Sequence, residues 1–341
     1  MNQMKVPFSL GKLDSNILQR LIQRYSLTDE RVLLGPRIGE DAAAIDLDGK
    51  ILIVTTDPIT FATTEIGYYS VMVNANDIAT MGASPRWFSV TILLPESNTT
   101  EELVDAIFQQ IHKACKGLGV SLIGGHTEIT YGLNRPILVG QMIGEVEKGA
   151  MITTGGARPG DAILLTKGIC IEGTSIIARE KERELLSYEI SMDLIKQAQH
   201  FLFEPGISIV EEARLAAEAG LVHAMHDITE GGLTNGLYEI SMAAGVQIEV
   251  EMDKVPIYNE SRILCEVFGL NPLGVIASGS LLISISETET EKILDLFKQR
   301  GIPITRIGHV KAYGPPSVTL LTPRGDEPLP YFQRDELSKL F

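Results

Sequence analysis

The chain has 341 residues, 44% hydrophobic and 21% charged, with a formal net charge of −15. That balance fits a globular protein with a real core, and the length makes two domains the default. The acidic surface argues against general binding to nucleic acid or an anionic membrane, while small anions remain compatible with backbone N–H groups and a metal ion.

The opening residues, MNQMKVPFSLGK, lack the long apolar core of a signal peptide, and no run reaches transmembrane length. Cys115, Cys170 and Cys265 are widely spaced with no CxxC pair, so neither a disulfide framework nor a zinc site is expected. Together these features predict a cytoplasmic protein. Residues 41–57 read as a hairpin, AAAIDL and ILIVTTD about an Asp48–Gly49 turn. Residues 66–82 read as a helix and WFSVTILL (87–94) as a strand. Thr99 with Glu102 predicts a capping box for a helix reaching Lys116. SLIGG (121–125) and PILVGQMIGEV (136–146) read as strands. The Gly-rich ITTGGARPGD (152–161) is the expected domain boundary. Beyond it, strands are expected at DAILLTKG, HAMHDI, QIEVEM, SLLISIS and PITRIGHV. Helices are expected near 173–183, 190–201, 208–219 and 231–244, and at SRILCEVF and EKILDLFKQRG. Each half mixes strands and helices, which favours two α/β or α+β domains, 1–150 and 151–341.

Acidic residues recur at the ends of apolar strands and in Gly-rich turns: Asp41 in RIGEDAAAI, Asp57 before Pro58, Glu128 after GGHT, and Asp227 before ITEGGL. Pro58 is expected to end its strand. Asp77 lies inside the apolar helix, where capping gains it nothing and an unpaired charge is costly. Carboxylates gathered with Gly-rich turns suit a magnesium–nucleotide site, the metal bridging carboxylates to phosphate oxygens. Plainer readings stand beside this one. Asp227 with Thr229 would cap the helix near Gly231, and Gly124–Gly125 would be a tight turn. Lys167, at a strand end, either meets phosphate or substrate or is solvated. His126, His223 and His226 show no metal-ligand spacing, and Cys170 reads as a small buried residue. No GxxxxGK[ST] loop is present, which removes an ordinary P-loop enzyme.

GEDAAAI, TTDP, NANDIATMGASP, GGHTE and HDITEGGL, in this order, resemble the motifs of the aminoimidazole ribonucleotide (AIR) synthase superfamily over roughly residues 35–310. That superfamily includes thiamine-monophosphate kinase, selenophosphate synthetase, formylglycinamidine synthase and the hydrogenase-maturation protein HypE. The resemblance implies a two-domain fold whose N-terminal domain forms a dimeric β-barrel with a second copy, with ATP and magnesium in a cleft beside the C-terminal α/β domain. It implies Asp41, Asp57, Asp77 and Glu128 as metal positions, and Asn76, Gly124, Gly125, His126 and Thr127 as nucleotide positions. It implies Asp227 as a position facing the substrate cleft, and Lys167, from its place at a strand end, is the other catalytic candidate. His126 stands where relatives place Asp or Glu, which leaves His126 and Glu128 as alternatives for the metal.

Motifs of the kinase and of AIR synthase itself are missing after Asp57, where the chain reads PITFATTEIG. No Cys precedes Cys115, as selenophosphate synthetase would need. HypE is the nearest likeness, but HypE ends in Pro-Arg-Ile-Cys and this sequence ends ELSKLF. The expected function is therefore an ATP- and magnesium-dependent, HypE-like enzyme activating an amide or acid oxygen by phosphoryl transfer, on an unidentified small-molecule or protein substrate. The alternatives are a nucleotide-binding, non-catalytic maturation or regulatory partner, and a small-molecule kinase.

Overall fold

The computed structural model describes residues 11–27 and 29–341; the reading of the first ten residues lies outside them. The N-terminal half runs α1 (Ser15–Tyr25), β1 (Val32–Leu34), β2 (Ala43–Asp46), β3 (Lys50–Ile59), α2 (Ile66–Thr80), β4 (Ser84–Pro95), α3 (Glu101–Leu118), β5 (Ser121–Thr130) and β6 (Ile137–Glu147). Its six strands form one sheet in the order β1-β2-β3-β6-β4-β5. Only the β4–β5 pair is parallel, with α3 as its crossover. The expected hairpin is present, Ile45 facing Leu52 across the Asp48–Gly49 turn.

The second half runs β7 (Asp161–Thr166), α4 (Ile171–Glu180), α5 (Glu182–Ser187), α6 (Met192–His200), α7 (Val210–Ala219), β8 (Val222–Asp227), α8 (Gly232–Ala244), β9 (Val246–Glu251), α9 (Asn259–Phe268), β10 (Leu281–Ser286), α10 (Thr290–Gln299), β11 (Ile304–Tyr313), β12 (Ser317–Leu321) and β13 (Glu327–Pro328). Seven of its strands form a second sheet, β13-β12-β9-β11-β7-β10-β8, in which only β12–β9 is parallel. β7 is buried at every position, as a central strand covered on both faces must be. Among the described residues no helix is long and apolar enough to cross a membrane.

α2 joins the halves. All of it but Tyr68 is buried, because it packs on β3, β4, β6 and α3 on one side and on α7 and β8 on the other. A helix apolar around its whole circumference is one that needs cover all round.

Three local expectations are corrected. The α3 cap is Thr100, whose hydroxyl accepts the Leu103 N–H at 3.3 Å, while Thr99 donates to the Pro95 carbonyl. β3 continues through Pro58 to Ile59, paired with Val139 and Leu138 of β6, since the missing N–H falls one residue from the strand end. GGHTE is no turn but the middle of β5. Gly125 is required there by close approach, since a Cβ would collide with the Val90 carbonyl oxygen of β4. The strands β1, β12 and β13 and the helices α1 and α5 are additional to the elements expected from the sequence.

Candidate functional site

Four aspartates from four elements converge where α2 meets both sheets. Asp77 comes from the last turn of α2, Asp57 from β3, Asp41 from the segment before β2, and Asp227 from the end of β8. Thr55 lies among the first three. Its Oγ1 is 2.6 Å from Asp77 Oδ2, 3.4 Å from Asp57 Oδ2 and 3.2 Å from the Asp41 carbonyl oxygen. With one proton to give, the hydroxyl donates to Asp77. Asp57 is held by Asn74 of α2, whose side-chain carbonyl accepts the Asp57 N–H at 3.0 Å. Asp41 reaches the cluster because Gly39 lets the chain cross α8, where a Cβ would stand 2.8 Å from the Glu239 carbonyl oxygen.

Burial raises the Asp77 carboxyl well above the usual carboxylate range, and the charges of Asp57, Asp227 and Asp41 raise it further. Burial likewise raises Asp227, with Asp41 and Asp57 adding to it and His226 opposing. Like charges crowded in a buried site cannot all ionise unless a cation joins them.

His226, which the spacing of histidines left out, is part of this site. Its Nδ1 is 2.7 Å from Asp41 Oδ1 and its Nε2 is 2.9 Å from Glu239 Oε2, a residue of α8. Burial lowers the imidazole pKa, but the two carboxylates outweigh it and the net direction is well above the usual value. Lys12 stands 3.6 Å from the other Glu239 oxygen. Glu239, buried yet flanked by Lys12 and His226, is held down at about 2. The sequence carried one signal for this pair. A His immediately before a strand-end Asp, followed by an acidic residue mid-way along the next helix, is a buried charge pattern that needs partners.

Two expected site residues are engaged elsewhere. Lys167 is buried, its amine 2.9 Å from Glu212 Oε1 and donating to the carbonyls of Gly206 at 3.1 Å and Ser208 at 2.7 Å. Asn76 closes on the same segment, donating to the Ile207 carbonyl at 2.8 Å and accepting the Ile209 N–H at 2.9 Å. Both pin residues 206–209, leaving neither side chain free for phosphate. Gly124, Gly125, His126, Thr127 and Glu128 are exposed on edge strand β5. β4 and β6 lie between β5 and β3, so within one chain these residues are about 14 Å from Asp57 across the sheet. His126 and Glu128 face each other at 3.3 Å, away from the aspartates.

The remaining donors fit a hard divalent cation. Asp41 Oδ2 and Asp227 Oδ2 are buried without a hydrogen-bond partner. One ligand atom each from Asp41, His226 and Asp227 lie within 4.8 Å of one another. Both His226 nitrogens are already committed to carboxylates, so the free donors are carboxylate oxygens. An all-oxygen set suits magnesium rather than zinc.

The sequence profile described as "AIR synthase related protein, N-terminal domain" matches residues 39–146 and that described as "AIR synthase related protein, C-terminal domain" matches residues 158–320. The chain belongs to the AIR synthase-related family. Among its relatives, a Methanocaldococcus jannaschii protein provisionally named for hydrogenase expression and formation is 27% identical over 298 residues, 86% of this chain and 85% of that one. The carbamoyl dehydratase HypE of Cupriavidus necator is 29% identical over 278 residues, 79% of this chain and 75% of that one. The family fold extends to a crystal structure of HypE in complex with ATP, 24% identical, covering 94% of this chain and 96% of that one, with a TM-score of 0.68.

Proposed function

We propose that this AIR synthase-related protein is an ATP- and magnesium-dependent enzyme, HypE-like in its chemistry, that activates an amide or acid oxygen of its substrate by phosphoryl transfer. The observation that carries the reading is the convergence of Asp41, Asp57, Asp77 and Asp227 with two buried carboxylate oxygens unpartnered. A pure scaffold has no use for four converging acids, two of them buried and two half-buried. Asp41, Asp57, Asp77 and Asp227 would hold magnesium, which supplies neutralisation of the phosphate oxygens and of charge developing on them. The relative solved with ATP supports the nucleotide. The His226 ion pairs hold Asp41 in place, and Thr55 and Asn74 orient Asp77 and Asp57.

The active form in this reading is a homodimer formed through strands 51–57 and 87–94. Leu52, Val54 and Leu93 are only half-buried on the face turned away from α2. Gly124, Gly125, His126, Thr127 and Glu128 would then serve nucleotide across the dimer, from a second copy's exposed β5.

Calorimetric titration with ATP, with and without magnesium, tests the reading. Binding that requires magnesium and fails in Asp227→Asn is the expected result. No heat and no thermal shift at millimolar ATP-magnesium overturns it. Product analysis with amide- and acid-bearing metabolites then separates the chemistries: free phosphate with a dehydrated or condensed product supports activation, and a stable phosphorylated metabolite makes the protein a kinase. Nucleotide binding without turnover makes it a regulatory partner.

A further inference from the structure

The segment 329–341 folds back over the C-terminal domain, beside the aspartate cluster rather than within it. The buried Leu329 accepts the Tyr238 hydroxyl at 2.8 Å on its carbonyl, and the Phe332 carbonyl accepts Asn235 Nδ2 at 3.0 Å. Glu336 accepts the Asn271 N–H at 2.8 Å. Between these ties, Asp335 Oδ2 accepts the Gly231 N–H at 2.7 Å and Oδ1 accepts the Leu337 N–H at 2.8 Å. Gly231 is the N-cap of the 13-residue helix α8, which has no capping side chain of its own. The anion at this helix start therefore comes from a residue 104 positions further along the chain.

Two buried side chains at the same place lack partners. Thr234 Oγ1, in the first turn of α8, makes no hydrogen bond. Helical Cα–Cβ bonds tilt toward the N-terminus, which inclines this side chain toward the end where Asp335 sits. Glu172 Oε2, in the first turn of α4, likewise has no partner within hydrogen-bond distance; the Ser278 side chain and N–H lie against the same carboxyl and hold it down, while the Asp335 charge pushes it up. The first turns of α4 and α8 meet over one loop. The Gly173 N–H donates to the Ile276 carbonyl at 3.1 Å, and a Cβ on Gly232 would stand 2.6 Å from the Leu273 carbonyl oxygen.

We propose that this place is a subsite for the carboxylate of a small-molecule ligand, and that Asp335 is its resident stand-in, carried on a strap, residues 329–341, that opens to admit the ligand. The ligand carboxylate takes the Gly231 N–H from Asp335, and the Thr234 hydroxyl donates to it. Burial pushes Glu172 up to about 7, so in its acid form it supplies a further proton donor. The charge of Glu230 also acts on both Glu172 and Asp335. That acidic neighbour disfavours a dianionic phosphate and selects a single carboxylate. The strap reaches the N-terminal domain as well, with the Phe341 ring 6.0 Å from the Phe61 ring and Lys181 over its face at 5.3 Å. Opening it therefore unlatches one edge of the interdomain boundary. None of this depends on the nucleotide chemistry proposed above.

Hydrogen exchange on the unliganded wild-type chain tests the strap. Amides of residues 329–341 should exchange through local opening, at least about 100-fold faster than those of β10. Exchange only through global unfolding would make Asp335 a fixed helix cap and overturn the proposal. Asp335→Ala deletes the carboxylate and keeps Cβ, and acetate carries that carboxylate back, so acetate tests the subsite. At constant ionic strength and pH 6.5, acetate should raise the thermal midpoint of Asp335→Ala saturably against a chloride control, and move wild type less. Adding Glu172→Gln should weaken that acetate response. An equal response of variant and wild type, or a response to inorganic phosphate matching that to acetate, overturns it.

Discussion

Thr55 Oγ1 stands 2.6 Å from Asp77 Oδ2, giving one hydrogen bond to an acid in the last turn of an apolar helix. One hydroxyl proton cannot offset the charge of four neighbouring acids. Burial and the charges of Asp57, Asp227 and Asp41 push Asp77 toward its protonated form. In the proposed reading a divalent cation would take the place of that proton.

Asp77→Asn preserves shape and removes the charge. It should weaken magnesium-dependent ATP binding by at least about tenfold, or about 1.4 kcal/mol. Stability of the metal-free chain should hold or rise, because a group that resists ionising has been made permanently neutral. Titration calorimetry and urea melts report the two quantities separately. Unchanged ATP affinity with a large loss of metal-free stability would make Asp77 a structural hydrogen-bonding residue.

The aspartates were legible in the sequence because each contradicts its surroundings: an acid inside an apolar helix, or at an apolar strand end, asks for a partner. Their convergence was legible only through the order of motifs, since Asp41 and Asp227 come from opposite halves of the chain and meet only in the fold. His226 escaped because its partners lie 185 positions before it and 13 after it, and no local spacing marks a pair that tertiary packing makes. Gly124–Gly125 misled for a physical reason. Adjacent glycines signal a turn, yet Gly125 is there to let β5 approach the Val90 backbone. Lys167 shows the same limit, because a lysine at a strand end looks alike whether it meets solvent, phosphate or a buried glutamate.

Lys167→Met should destabilise the chain by about 3–5 kcal/mol, since it strands Glu212 as a buried unpaired charge. Burial already lowers the Lys167 pKa, with Glu212 opposing. The double variant Lys167→Met with Glu212→Leu should recover most of that loss, and its folded fraction should bind ATP-magnesium within about twofold of wild type. Denaturant melts of the single and double variants check this. A single variant of normal stability that has lost turnover would return Lys167 to the catalytic group.

Stability without metal should fall as pH rises from about 4.5 to 7. Burial raises Glu172 from 4.5 to about 7 and Asp335 from 3.8 to about 6. An acid whose folded pKa is raised contributes stability fully below its unfolded value and loses it as pH climbs through the folded one. Glu239, held near 2, acts in the opposite sense only below about pH 4.5, outside this window. Urea midpoints between pH 5 and 8 in chelator should therefore decline, and Glu172→Gln should flatten the slope by up to about 3 kcal/mol at the upper end. A wild-type profile that rises across that range would mean these carboxyls ionise freely in the folded chain.

The exposed strand β5 leads to the last expectation. Ile123 is 56% and Ile129 58% exposed, and the strand's residues are open on both faces. Only one edge of β5 is paired, to β4. An apolar strand left this way invites pairing or burial by another chain unless it is blunted by charge, proline or a bulge. The nearby half-buried face of β3 and β4 extends the same apolar surface. Light scattering at micromolar concentration should give twice the 37.2 kDa chain mass. Ile123→Glu with Ile129→Glu should shift it to one chain, because burying two new carboxylates costs several kcal/mol against an interface that depends on apolar cover. The aspartate cluster lies across the sheet from these positions, so magnesium binding to the monomeric variant should persist while ATP affinity falls. Loss of ATP affinity on dissociation would place Gly124–Glu128 of one copy at the nucleotide of the other. A wild-type monomer would leave those five residues no route to the cleft, and the nucleotide would rest on the four aspartates alone.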